Sequence, residues 1–149
     1  MRKPLLFIGL ALAATAAHAQ LLPFLKKYPS TPDQPVAQTI DTLRADFAAQ
    51  SGGANVYFAF DSTQLSPQAR TTLAAQALWL RRNPQVAVRV EGHGDSNDTR
   101  DHALAIGARR AEAVRDYLVL MGVPAAQLTA MSWGKERPGA PRAVTVLVR

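Results

Sequence analysis

The sequence predicts an α+β domain in the order βαβαββ. Two main helices pack on one face of a mixed four-stranded sheet, and a short amphipathic helix precedes them. Three observations predict this. The β-rich runs Val56–Phe60, Val86–Val90, Leu128–Trp133 and Ala143–Val148 are too short to be helices of ordinary length. Longer stretches with helical apolar spacing separate the first three of these runs. Glycine, proline or asparagine stands at most of the joins, and no internal repeat or low-complexity tract appears after residue 19.

The elements follow in order. Met1-Arg2-Lys3 is a cationic head and Leu5–Leu12 an apolar run. Ala17-His18-Ala19 then sets small residues before Gln20, so residues 1–19 read as an export signal cleaved after Ala19. The apolar run is too short for a permanent membrane span. Residues 20–35 carry four prolines and read as an extended linker. Val36, Ile40, Leu43 and Phe47 recur at spacings that predict an amphipathic helix over 36–51, stopped by Gly52-Gly53, outside the βαβαββ core of the domain at 54–149 and packed on the domain or on a partner, with packing on the domain the favoured role. Ser66-Pro67 reads as an N-cap followed by proline in the first turn. The helix it opens runs to Asn83, with Leu73, Ala77 and Leu80 on its apolar face and Trp79 on a flank. Val86, Val88 and Val90 share one face of the second strand, and Arg89 points the other way. Asp98 or Thr99 caps the second main helix, which Gly122-Val123-Pro124 closes.

Composition narrows the function. The 149 residues carry 17 basic and 11 acidic side chains, and loss of Arg2 and Lys3 with the signal leaves a net charge of about +4. The arginines are dispersed with no aromatic platform between them, which argues against nucleic acid as partner. The absence of cysteine excludes a disulfide framework and a lipid-carrying cysteine.

Arg110 is the first candidate functional residue. It lies one turn after Ile106 and one turn before Val114, inside the stripe that should face the core. A guanidinium there needs a carboxylate or a solvent-filled groove, because burying it alone costs several kcal/mol. Its neighbour Arg109 projects about 100° away and reads as a solvated charge. A purely structural pairing with an aspartate and a ligand role remain equally open on this pattern. Asp95, after the second strand, is the candidate partner.

Three blocks then match a family: Val56-Tyr-Phe-Ala-Phe-Asp61, Val90-Glu-Gly-His-Gly-Asp95 and Arg109-Arg-Ala-Glu-Ala-Val114. They resemble the OmpA-like peptidoglycan-binding domain. Ser132-Trp-Gly-Lys-Glu-Arg-Pro138 is similar to a segment of that family's peptidoglycan-associated lipoprotein branch. The resemblance covers about Asn55 to Val148. It implies non-covalent, non-catalytic binding of the meso-diaminopimelate in the peptidoglycan stem peptide, in the periplasm and against the wall. By the same resemblance Asp95 takes the ligand's ammonium, Arg110 its carboxylate, and Asp61 and Phe60 line the pocket. The chain departs from the family at Ala103, where asparagine is usual, and at Ala140-Pro141-Arg142, where Asn-Arg-Arg is usual.

Competing chemistry is poorly supported. His93, Asp95 and His102 lack a recognised metal-ligand spacing, and Asp95 with Glu91 offers no assured carboxylate separation for glycoside hydrolysis. Neither a cofactor nor a metal is expected. The remaining alternative is a protein-interaction module that keeps the fold and has lost the ligand.

Overall fold

The structure is a computed structural model that describes residues 38–148. The export signal, the linker and residues 36–37 of the expected amphipathic helix lie outside the described residues, while Thr39 is that helix's extended N-cap, so the helix begins at Ile40 rather than in the turn before it. Helix α1 spans Ile40–Ser51, β1 Asn55–Tyr57, α2 Pro67–Arg82, β2 Val88–His93, α3 Arg100–Leu120, β3 Leu128–Gly134 and β4 Arg142–Leu147. The order after α1 is therefore βαβαββ, with a single 3-10 turn at Ala125–Gln127 leading into β3.

The sheet runs β1-β4-β2-β3. Strand β4 is antiparallel to both β1 and β2, and β2 and β3 are parallel, joined through α3. Parallel neighbours need such a crossover, so α3 is held across β2 and β3. The packing there is close. A Cβ on Gly92 would overlap the Gly107 carbonyl of α3, and one on Gly94 would overlap the backbone of Ala103. These two contacts seat α3 directly on the end of β2, where Asp95 follows.

Local chemistry sets the helix ends. The Ser66 and Thr39 side chains accept the amides of Ala69 and Thr42, and Thr99 accepts that of His102. Gly52 closes α1 in the left-handed region at φ 74°. The hydrophobic core gathers Leu73, Ala77 and Leu80 of α2, Val88 and Val90 of β2, and Ala111, Val114 and Leu118 of α3.

Three expectations need correction. Helix α1 is not outside the core. Phe47 is 2 % exposed and meets Trp79 edge-on, ring centroids 5.2 Å apart, while the Trp79 indole donates to Asp46 at 2.7 Å. Trp79 is therefore buried between helices rather than on a flank. Strand β1 pairs with β4 only at Arg142–Val144, and α1 takes the other end of β4 through the Arg44 guanidinium on the Leu147 carbonyl. The third correction concerns β1 itself. The first strand stops at Tyr57 instead of Phe60, because Asp95 and Arg110 hold the backbone from Ala59 to Ser62 as a loop.

Candidate functional site

That loop is the centre of the site. Arg110 lies in the buried stripe of α3, between Ile106 and Val114 as the spacing predicts, and is 0 % exposed. Its guanidinium is surrounded by acceptors. Nε donates to the Ser62 carbonyl at 2.9 Å, Nη1 to that of His93 at 2.8 Å and Nη2 to that of Ala59 at 3.1 Å. Nη2 also donates to both Asp95 oxygens, at 3.2 and 3.3 Å. The Phe58 ring lies under the cation, 5.4 Å from its carbon to the ring centroid. Asp95 is 2 % exposed and accepts the Asp61 amide at 2.9 Å through Oδ2.

The structure brings together the two residues named from the sequence, but in a different setting. Asp95 and Arg110 converge as an ion pair beneath the β1–α2 loop, with no open groove between them. Such a pair is stabilising only when its remaining hydrogen-bonding capacity is filled, and three backbone carbonyls and one amide fill most of it here. Asp61 and Phe60 are brought to the loop above the pair. Phe60 is 71 % exposed, and Asp61 takes the strained φ of 49°.

The Asp61 carboxylate does not face Arg110. It accepts from His102 Nε2 at 3.0 Å, and the same nitrogen lies 3.1 Å from Asp98 Oδ2. The Asp61 hydrogen bond, together with the nearby Asp98 charge, holds the His102 imidazole above its ordinary pKa. Among the described residues this is the only trio of ligand-type side chains close enough to share an ion. The imidazole nitrogen already serves both carboxylates, so the trio is satisfied without one. Sequence reasoning names His102 only as an improbable metal ligand and misses Asp98 apart from its capping role. The signal available was the i, i+4 spacing of Asp98 and His102 across the start of α3.

Glu91 and His93, weighed from the sequence as a paired carboxylate and as a metal ligand, take structural roles instead. Glu91, 2 % exposed, is held by Arg89 at 2.6 Å and Arg137 at 2.9 Å, and Arg137 lies 3.8 Å over the Trp133 ring. Arg89 and Glu91 stand at i, i+2, so they share a strand face, which was legible. His93 organises the loop through its backbone carbonyl on Arg110, not through its ring, whose Nδ1 has no partner. Burial, with Arg142 nearby, pushes the His93 imidazole below its ordinary pKa. Ala103 is fully buried at the Gly94 crossing and belongs to the α3–β2 packing.

With the fold and pair in place, comparison with known proteins is decisive. The model of the OmpA family matches residues 57–146. The chain belongs to the OmpA family. Among curated proteins it is 50% identical over 93 residues to a peptidoglycan-associated lipoprotein of Mesorhizobium japonicum, covering 62% of this chain and 55% of that protein. It is 47% identical over 93 residues to that of Agrobacterium fabrum, covering 62% of this chain and 52% of that protein. The chain thus spans about half the length of the curated relatives it matches. Among solved structures, the peptidoglycan-associated lipoprotein from Burkholderia pseudomallei is 37% identical with a TM-score of 0.62, over 64% of this chain and 91% of that one. The C-terminal domain of Helicobacter pylori MotB, at 20% identity and TM-score 0.57 over 63% of this chain and 82% of that one, shares the fold. No helix among the described residues is long and apolar enough to cross a membrane.

Proposed function

We propose that this chain binds cell-wall peptidoglycan through the meso-diaminopimelate of its stem peptide, without catalysis, from the periplasm. The convergence of Asp95 and Arg110 beneath an exposed loop, in a chain related to proteins named for association with peptidoglycan, is the observation that carries the reading. A zwitterionic side-chain end brings one carboxylate and one ammonium, which match a guanidinium and an aspartate. In the free chain the ends of Arg110 are occupied by neutral carbonyls of Ala59 and Ser62. A carboxylate is the stronger acceptor, since charge-assisted hydrogen bonds are roughly twice as strong as neutral ones. Binding then exchanges loop contacts for ligand contacts: the carboxylate displaces loop carbonyls from Arg110, and the ammonium replaces the Asp61 amide on Asp95. The loop from Phe58 to Thr63 lifts as it does so, with exposed Phe60 covering the apolar stem of the ligand.

Export through residues 1–19 would deliver the protein to that compartment, wall-associated and peripheral to the outer membrane. The test is co-sedimentation with purified sacculi. Retention on diaminopimelate-type sacculi, with little on lysine-type sacculi, is expected. Equal retention on both, or none on either, would refute the reading. The internal saturation of Arg110 favours one alternative, an envelope protein-interaction module in which the pair only supports the loop. Absence of sacculus binding by a well-folded chain would select it.

A further inference from the structure

His102 makes a bridge that neither the fold nor the buried pair requires. It stands in the first turn of α3, with its Nε2 within hydrogen-bonding distance of Asp61 on the β1–α2 loop and of Asp98 on the β2–α3 loop. One imidazole nitrogen thus ties together two loops that flank Asp95 and Arg110. The tie acts on the segment that covers the pair, because the Asp61 backbone amide is the group bonded to Asp95. We infer that His102 is a latch that holds the β1–α2 loop closed over Asp95 and Arg110 while its imidazole is protonated, and so opposes ligand entry at low pH.

The charge arithmetic supports a latch. Two carboxylates facing one nitrogen suit an imidazolium, whose Nε2–H is a permanent donor. A neutral ring either shares a weaker N–H or turns a lone pair toward both oxygens. The groups around His102 are Asp61 from the β1–α2 loop, Asp98 from the β2–α3 loop, Asp101 and Arg100 beside it in α3, and Arg109 two turns on. Lys135 reaches in from the β3–β4 turn to the Asp98 carbonyl, and Arg109 acts against protonation while the two aspartates favour it. The imidazole is therefore held above its ordinary value of 6.5, with the Asp61 hydrogen bond as the main cause. A raised pKa in the folded chain fixes the direction. The latch is complete below about pH 6.5 and is lost as pH rises through the shifted value. His102 and Asp61 are exposed and Asp98 is half-buried, so the effect is modest.

This inference rests on the proposed peptidoglycan reading only for its consequence, and the latch itself can be read without ligand. The probe is the Asp61 amide, followed by hydrogen exchange in the full chain between pH 5.5 and 8.5 and corrected for intrinsic exchange. Its protection should fall about two- to fivefold over that range, the scale of an exposed ion pair. In His102→Gln the protection should be low and flat, and Asp98→Asn should lie between the two. Gln is a good helix former at this exposed position, and a melting curve matching wild type establishes that each variant folds. Flat protection in wild type, or an equal fall in His102→Gln, overturns the latch. The second arm measures affinity for meso-diaminopimelate-containing muropeptide over the same pH range, in which the ligand ammonium stays charged. Wild type should bind about two- to fivefold more tightly at pH 8.5 than at 5.5, with no such change in His102→Gln. A pH-sensitive Asp61 amide with pH-independent muropeptide affinity would overturn the role of the latch in binding. An active latch with no muropeptide binding at any pH would overturn the peptidoglycan reading instead.

Discussion

Replacing Arg110 by alanine should unfold much of the protein's stability before it reports on any ligand. The guanidinium is fully enclosed, and its removal leaves the Asp95 carboxylate 2 % exposed with the Asp61 amide as its remaining partner. Breaking one side of a buried ion pair costs about 3–5 kcal/mol, because an uncompensated charge stays behind. The carbonyls of Ala59, Ser62 and His93 lose their donor in the same step. Against a total stability of about 5–15 kcal/mol this is a large fraction. For a domain of this size it corresponds to a fall in melting temperature of about 12–25 °C. The assay is thermal unfolding followed by circular dichroism, for wild type, Arg110→Ala, Asp95→Ala and the double variant. Removing both charges should be no worse than removing Arg110 alone, with a coupling of about 1–3 kcal/mol between the sites. Arg109→Ala, on the exposed side of α3, should stay within about 0.5 kcal/mol of wild type. If Arg110→Ala melts within about 2 °C of wild type, the pair is not structural and the reasoning from its burial fails.

Two other substitutions test the packing that positions the site. Phe47→Ala should cost about 3–5 kcal/mol by opening a cavity against Trp79, read as a lowered denaturation midpoint; no change would mean that α1 is dispensable to the core. Gly92→Ala should be more damaging than its size suggests, because the new methyl overlaps the Gly107 carbonyl and must push α3 off β2. It should lower soluble yield and melting temperature together, and a normal melt would show that the α3–β2 approach is looser than the structure has it.

Much of the fold was legible because its elements obey local rules. Ser66-Pro67 caps and opens α2, Thr99 caps α3, and the alternating valines of β2 face the helices. What escaped was set by non-local partners. Nothing within Val56–Phe60 says that pairing stops at Tyr57; that depends on Arg110, some fifty residues on, drawing the Ala59 carbonyl out of the ladder. The apolar spacing of α1 was plain and favoured packing on the domain over a separate partner, but that Phe47 joins the core itself rests on Trp79 of α2, far along the chain. Helical periodicity reports a face and not its partner.

The site shows the same division more sharply. An arginine in an apolar stripe announced that something must neutralise it, and Asp95 was the right answer. The arginine is not by itself a sign of a ligand, because three backbone carbonyls and a carboxylate already account for its place in the stripe. Backbone acceptors carry no signature in a sequence, so a structural arginine and a ligand-gripping arginine look alike there. It follows that loss of sacculus binding in Arg110→Ala or Asp95→Ala cannot by itself identify the ligand contact, since each also removes the support of the loop. The informative variants are those whose side chains reach solvent. Asp61, Asp98 and His102 can be changed without leaving a charge buried, and a change in binding there at unchanged melting temperature reports on the site alone.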